Sequence, residues 1–231
     1  MNVVYSGTRN LYPALRGAIR SLIEYNRDVK IYVFAEDDEL PYKIPVDHEI
    51  INMSGQTYFG PDCPNRHNQF TYMAMIRCAT AEILSDVDKV IQLDVDTIIC
   101  DSLQPLWETD LTGKWIGWCQ EHFGGYKPYG EKYYNFGVAV MNLKQMREDG
   151  LPQKCVKEMN ENVYRFIDQD IMNYFAVPDM TVDIPMRFNE SFCCGFSPNP
   201  AVIHYAGYPD WYESTTVPRG QWKDMWKAVK L

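Results

Sequence analysis

The stretch from Asn2 to Ala35, NVVYSGTRNLYPALRGAIRSLIEYNRDVKIYVFA, determines the class of fold. The apolar runs NVVYS and KIYVFA predict two strands. Between them leucine and isoleucine recur at helical spacing, which predicts a helix over Tyr12–Tyr25. A strand, a helix and a second strand form a βαβ unit, in which a right-handed crossover joins parallel strands. Ligands of such sheets bind beyond the carboxyl ends of the strands.

The rest of the chain alternates further predicted elements. Helices are expected over residues 70–84, 152–162 and 168–175, and strands over 88–96, 114–121, 136–143 and 201–205. No repeat, low-complexity run or linker divides the sequence. These patterns predict a single α/β domain over residues 1–231, with a mixed, mainly parallel central sheet.

The composition suits a folded protein that does not bind nucleic acid. Hydrophobic residues make up 46% of the 231 residues, which is enough for a sizeable core. The formal net charge is -9, whereas a nucleic-acid site needs clustered lysine and arginine. Seven cysteines without a C-x-x-C pair indicate reduced thiols. With no leader-like or membrane-spanning run recognised, a cytoplasmic location is expected.

The segment 219–231, RGQWKDMWKAVKL, combines basic and aromatic residues. This combination is typical of segments that lie on an anionic membrane surface. A helix that packs its tryptophan face on the domain gives the same pattern. Peripheral membrane contact is therefore one of two expectations for this segment.

Two carboxylates interrupt the apolar stretch VIQLDVDTII, residues 90–99. In an extended chain the side chains of Asp94 and Asp96 point to one side and that of Val95 to the other. Because they follow a buried strand, the acids lie where an α/β sheet holds its ligand. Carboxylates are hard oxygen donors that suit Mg²⁺ or Mn²⁺. A turn with both acids capping backbone amides explains the same D-x-D motif, so both interpretations stay open.

His204 also ends an apolar run, in the segment AVIHYAG at 201–207. An imidazole that joined the two carboxylates would favour Mn²⁺ over Mg²⁺ as the bound cation. Taken alone, a histidine in this position more often has a structural role. The choice between a metal ligand and a structural histidine depends on the rest of the sequence.

Two families place an acid pair after a strand. Asp94-Val95-Asp96-Thr97 resembles the acidic motif of the haloacid-dehalogenase-like phosphatases, in which the first acid is a phosphoryl nucleophile. In that family the motif ends the first strand, whereas here a βαβ unit and a helix precede it. A phosphatase is therefore the alternative and not the favoured interpretation.

The broader resemblance is to glycosyltransferase family 8, the retaining galactosyl- and glucosyltransferases. Five segments occur in the order of that family: IRCATAEILSDVDKVIQLDVDTIICDSLQPLWETDL, YYNFGVAVMNLKQMR, DQDIMN, RFN and HYAG. The resemblance implies a GT-A (Rossmann-like) fold and transfer of galactose or glucose from a UDP-hexose. It also implies a divalent cation, usually Mn²⁺, and a glycan, lipid-linked or protein acceptor. A catalytically silent protein that binds nucleotide sugars is a further alternative.

The resemblance also implies roles for individual residues. Asp94, Asp96 and His204 correspond to the metal ligands. Arg77, Asp168 and Gln169 correspond to residues that contact the donor phosphate and the transferred sugar, and they are the predicted catalytic group. The other predicted donor contacts are Ser6, Thr8, Asn10, Tyr12, Val95, Asn135 and Gly207.

Two positions depart from the family pattern. Thr8 stands where many members have an aspartate that recognises uracil. Asp210 stands where a lysine that contacts the diphosphate is expected. The resemblance therefore predicts weaker selection of the base, and weaker binding of the diphosphate if the loop around Asp210 closes over it.

Overall fold

The computed structural model of the protein describes residues 1–66, 70–123, 125–177 and 179–206. Its strands are β1 (Asn2–Ser6), β2 (Lys30–Ala35), β3 (Asp47–Asn52), β4 (Lys89–Leu93), β5 (Thr97–Ile99), β6 (Ile116–Gln120), β7 (Tyr134–Asn142), β8 (Thr181–Asp183) and β9 (Val202–His204). Its helices are α1 (Tyr12–Tyr25), α2 (Tyr72–Ile76), α3 (Thr80–Ile83), α4 (Gln104–Trp107), α5 (Leu143–Glu148), α6 (Leu151–Glu161) and α7 (Ile167–Ala176).

A seven-stranded sheet in the order β3-β2-β1-β4-β7-β6-β8 forms the centre of the molecule. Strands β3, β2, β1 and β4 are parallel, whereas β7 is antiparallel to both of its neighbours, β4 and β6. A separate two-stranded antiparallel sheet joins β5 to β9. The predicted mixed, mainly parallel sheet is confirmed.

Hydrophobic side chains cover both faces of this sheet. Alternate residues of β1 belong to different clusters, with Val4 on one face and Val3 and Tyr5 on the other. Helix α1 packs its buried Leu15 and Leu22 on the second of these faces, and α5, α6 and α7 pack on the first. The sheet therefore lies between two layers, with its strand ends open at the edges.

The βαβ unit follows the sequence closely, since β1, α1 and β2 have the predicted bounds. Helix α1 has Pro13 in its first turn, and its C-terminus is capped by Asn26, whose side-chain amide donates to the Leu22 carbonyl at 3.1 Å. The Ser21 hydroxyl accepts a hydrogen bond from the Ile99 amide of β5. Helix α1 thus supports both the large sheet and the small one.

Two predicted elements differ from the structure, and two observed strands were not predicted. The expected helix over 70–84 is divided into α2 and α3 by a 3-10 turn at Arg77–Ala79. The expected strand over 88–96 ends at Leu93, because the acid pair lies in a turn. The sequence patterns did not predict β5 or β8, whose three-residue strands are too short to show a period.

Several predictions concern residues outside the described ranges. They are the donor contact at Gly207, the departure at Asp210 and the membrane contact of segment 219–231. Among the helices that the structure describes, none combines the length and the apolar character that crossing a membrane requires.

Candidate active site

The acid pair lies in a tight turn at the carboxyl end of β4, here called the acid turn (residues 94–97). The Asp94 amide still donates to the Gly137 carbonyl of β7, at 2.8 Å. The Thr97 hydroxyl then donates to the Asp94 carbonyl at 2.7 Å and closes the turn. The prediction of an extended D-x-D segment is therefore wrong, although the turn brings the two carboxylates together as expected.

His204 reaches the acid turn from a distant part of the chain. Strand β9 pairs with β5 in a register that puts His204 opposite Thr97. The imidazole Nε2 lies 3.3 Å from Asp96 Oδ1 and 3.6 Å from Asp94 Oδ2. One ligand atom from each of the three side chains lies within 4.8 Å of the others. Two carboxylate oxygens and one imidazole nitrogen at this spacing fit a single divalent cation.

The ring of His204 lies directly on the backbone of Gly137 in β7. A Cβ atom at this position would come within 2.0 Å of the ring carbon Cε1. Real Cβ atoms do not approach another atom so closely, so any larger residue must displace the imidazole. The glycine of the YYNFG segment therefore provides the space that the histidine occupies.

The electrostatics of this cluster favour a positive charge between the carboxylates. Burial alone would lower the pKa of His204, but the carboxylates of Asp96 and Asp94 raise it to about 10. Burial would raise the pKa of Asp94, but Arg77 and His204 hold it below its usual value. A divalent cation held between the carboxylates would supply the same positive charge and would take the place of a proton on the imidazole.

Arg77 is buried and pairs with two carboxylates at once. It lies in the 3-10 turn between α2 and α3, and its guanidinium forms ion pairs with Asp94 and Asp168. The Phe136 ring lies 5.0 Å from the guanidinium carbon. Only 7% of the residue is exposed, so a position on the surface of a helix is excluded. In this structure Arg77 holds the acid turn to the start of α7.

Asp168 opens α7 next to a residue in an unusual backbone conformation. Ile167 has a φ of 29°, a region that β-branched residues rarely adopt. Burial raises the pKa of Asp168 to about 7, although Arg77 opposes the shift; the charge of Asp94 adds to it. Asp168 is 2% exposed, so its carboxylate serves Arg77 and not the solvent.

Gln169 and Asn135 are both fixed by Glu121, a residue that the sequence patterns did not identify. The Glu121 carboxylate accepts from the Asn135 amide at 2.9 Å and from the Gln169 amide at 3.1 Å. The side-chain oxygen Oε1 of Gln169 accepts a hydrogen bond from the Phe136 backbone amide at 3.0 Å. Burial raises the pKa of Glu121, and the hydrogen bonds that it accepts from the Asn135 and Gln169 side chains partly offset that effect. Like Asp94, Glu121 is a polar residue directly after an apolar strand, and this is the feature of the sequence that points to it.

Asn189, in the RFN segment, is a second residue that had no predicted role. Its side chain is fully buried, and its Oδ1 lies 2.9 Å from Nδ1 of His204. Its amide nitrogen donates to Asn135 Oδ1 at 3.0 Å. The RFN segment is one of the five that resemble glycosyltransferase family 8, and this resemblance is the feature of the sequence that points to Asn189.

The predicted donor contacts Ser6, Thr8 and Asn10 lie at or just after the carboxyl end of β1, beside the acid turn. A Cβ atom on Gly7 would lie 3.3 Å from a methyl carbon of Val95, so the two loops touch. Thr8 donates its hydroxyl hydrogen to Asn10 Oδ1 at 2.5 Å. Ser6 ends β1 and is partly exposed.

The predicted donor contact Tyr12 is almost completely buried. It is 5% exposed, and its hydroxyl donates to Asp37 at 3.1 Å and accepts from the Glu36 amide at 3.0 Å. A groove of about 400 Å³ runs past it, lined by Arg9, Tyr12, Asp37, Glu39, Leu40 and Pro41. Because so little of Tyr12 is exposed, it offers a base in this groove little surface for stacking.

Comparison with known proteins identifies relatives across almost the whole chain. The sequence model of glycosyl transferase family 8 matches residues 2–211. A protein of Haemophilus influenzae assigned as a glycosyltransferase is 27% identical over 75% of this chain and 58% of its own length. Glycosyltransferase GlyD of Streptococcus pneumoniae is 25% identical over 97% of this chain. The chain thus spans 58% of the Haemophilus protein and 30% of GlyD, which is less than two thirds of the length of either.

Solved structures share the fold at low sequence identity. An active-site mutant of LgtC superposes with a TM-score of 0.77 at 22% identity, covering 99% of this chain and 95% of that chain. The galactosyltransferase LgtC in complex with donor and acceptor sugar analogs gives 0.75 at 22% identity, covering 99% and 96%. GlyE of Streptococcus pneumoniae gives 0.74 at 22% identity, covering 99% and 62%. These likenesses confirm the predicted GT-A fold.

Proposed function

The chain belongs to glycosyl transferase family 8, and from this premise we propose that it transfers galactose or glucose from a UDP-hexose to an acceptor, with retention at the anomeric carbon. The observation that carries the proposal is the convergence of Asp94, Asp96 and His204 at the carboxyl edge of the sheet. Family membership removes the basis of the phosphatase alternative. We further propose that residues 1–231 act as one domain.

We propose Asp94, Asp96 and His204 as the ligands of the divalent cation. The imidazole favours Mn²⁺, and the two carboxylates also accept Mg²⁺. A cation held by these residues would supply Lewis-acid stabilisation to the negative charge that develops on the leaving diphosphate. The loop after β1 lies against the acid turn through Gly7 and Val95, which supports placing the nucleoside there.

Arg77, Asp168 and Gln169 are proposed to act on the sugar side of the site. Asp168 is buried and paired with Arg77, and the Gln169 oxygen already accepts the Phe136 amide. Neither group is therefore free to attack the anomeric carbon as a nucleophile. Retention is instead proposed to follow from substitution on the front face, without a glycosyl-enzyme intermediate.

In this step the bond from the anomeric carbon to the diphosphate oxygen breaks, and the bond to the acceptor oxygen forms on the same face. The proton of the acceptor hydroxyl passes to the leaving phosphate oxygen. The charge of Asp168 and the fixed Gln169 amide would support the oxocarbenium-like sugar. The acceptor class, glycan, lipid-linked or protein, stays a prediction, as does membrane contact by segment 219–231, which lies outside the described residues.

The test is to incubate the purified protein with UDP-galactose or UDP-glucose and Mn²⁺. We expect slow release of UDP without any acceptor, because water can replace the acceptor hydroxyl. Simple phosphate monoesters should be inert, since no phosphoryl nucleophile is proposed. Phosphate release from a monoester that disappeared in Asp94→Asn would contradict the proposal, and UDP binding without any turnover would favour a silent binder.

A further inference from the structure

A chain of hydrogen bonds connects the candidate metal ligand His204 to the opposite side of the site. It runs from Glu121 through Asn135 and Asn189 to the imidazole. The successive distances are 2.9 Å, 3.0 Å and 2.9 Å. Asn135, Asn189 and His204 are all at least 96% buried, so water does not compete for these bonds.

Two partners of Asn135, the Gly137 backbone amide and the Glu121 carboxylate, fix the direction of every bond in this chain. The Gly137 backbone amide is a donor and gives its hydrogen to Asn135 Oδ1, at 3.0 Å. The Glu121 carboxylate is an acceptor and takes a hydrogen from the Asn135 amide nitrogen. Asn135 can therefore be oriented in one way only, with its oxygen toward Asn189.

The orientation of Asn135 decides that of Asn189. Because Asn135 presents an oxygen, Asn189 turns its NH₂ group toward it and its own oxygen toward His204. That oxygen accepts and cannot donate, so the Nδ1 atom of His204 must carry the hydrogen. The other nitrogen, Nε2, is the one that faces Asp94 and Asp96.

We propose that Asn189 is a positioning residue that selects the metal-binding tautomer of His204, with Nδ1 protonated and Nε2 presented to the cation. The inference rests on the proposed metal-dependent function and assigns a role to the RFN segment. Partners of this kind orient a metal-binding imidazole and make it a stronger ligand. Asn189 touches neither substrate nor cation in this role and acts only through His204.

Asn189→Leu is the decisive variant, because leucine has a similar size and cannot form hydrogen bonds. We expect its Mn²⁺ dissociation constant to rise about 10- to 100-fold, the range for loss of such a partner. Asn189→Asp keeps an acceptor for Nδ1 and should bind Mn²⁺ more tightly than the leucine variant. Equal affinity of Asn189→Leu and the unchanged protein would overturn the inference.

A matched control separates this role from simple loss of a buried amide. Asn65 is as buried as Asn189, and its side chain bonds to the backbone of Met159, Asn162 and Tyr164. Asn65→Leu should therefore lower the melting temperature while leaving the Mn²⁺ affinity unchanged. An equal loss of affinity in Asn65→Leu would show that Asn189 contributes to stability alone.

A second measurement needs no variant at position 189. In the unchanged protein loaded with diamagnetic Cd²⁺, nitrogen NMR should show the metal on Nε2 of His204 and a hydrogen on Nδ1. The signal is assigned by its disappearance in His204→Gln. Metal on Nδ1 would overturn the inference and leave the proposed function intact, whereas failure of the unchanged protein to bind Mn²⁺ or Cd²⁺ would overturn both.

Discussion

Asparagine in place of Asp94 or Asp96 is expected to reduce turnover of the sugar nucleotide at least about 100-fold, the scale on which loss of one main electrostatic stabiliser acts. The substitution keeps the size of the side chain and removes one of the two charges that hold the cation. Asp94 also pairs with the buried Arg77, whereas Asp96 does not have that ion pair. Loss of activity in Asp96→Asn therefore reports on the candidate cation site, including His204, without disturbing the Arg77 ion pair.

Initial rates of UDP release with Mn²⁺, and Mn²⁺ binding by calorimetry, measure this effect. Asp88→Asn is the matched control, because the Asp88 side chain is 74% exposed and pairs with Arg147 away from the acid turn. It should keep both activity and Mn²⁺ affinity. Full turnover by the unchanged protein in excess chelator would contradict a metal-dependent reaction.

Alanine at Gly137 should have an effect of similar size for a steric reason. The new methyl carbon would lie 2.0 Å from the His204 ring, so the ring must leave the position from which Nε2 faces the acids. We expect the loss of Mn²⁺ affinity to exceed the roughly 10- to 100-fold range for an outer hydrogen-bonding partner, because a ligand itself is displaced. Calorimetry with Mn²⁺ tests this.

Gly117→Ala is the control for crowding in the same sheet. A Cβ atom at Gly117 would lie 2.9 Å from Val140 and 3.2 Å from Ile184, neither of them a candidate ligand. Overpacking of this kind costs about 1–3 kcal/mol of stability. Both variants should therefore unfold at lower temperature, but only Gly137→Ala should lose Mn²⁺. Normal Mn²⁺ affinity in Gly137→Ala would mean that His204 is not a ligand.

Local patterns predicted the elements that are defined by their own residues. The bounds of β1, α1 and β2 were correct because each is long enough to show its period. Because VIQLDVDTII is apolar on both sides of the acids, its pattern predicts a strand where the structure has the acid turn. The hydrogen bond from Thr97 to Asp94 that closes the turn, and the bond from the Tyr205 amide to the Asp96 carbonyl, leave no periodic pattern in the sequence. The 3-10 turn that contains Arg77 likewise leaves no distinct pattern, because the residues on both sides of it have helical spacing.

The site itself was predicted only in part. Family resemblance named Asp94, Asp96 and His204, and the structure brings them together. Glu121 and Asn189 were missed because their partners are far away in the sequence. The bond between Asn135 and Asn189 joins residues 54 positions apart, and one sequence contains no information about such pairs.

The three-residue ladder between β5 and β9 also decides when the cation site can first exist. Its two halves come from segments about a hundred residues apart, and closing so long a loop is slow compared with forming the βαβ unit. A refolding chain can complete its parallel strands and α1 while it still has no place for Mn²⁺. A cation that needs all three side chains would therefore be expected to bind only after β9 has paired with β5, since that pairing brings His204 to Asp94 and Asp96.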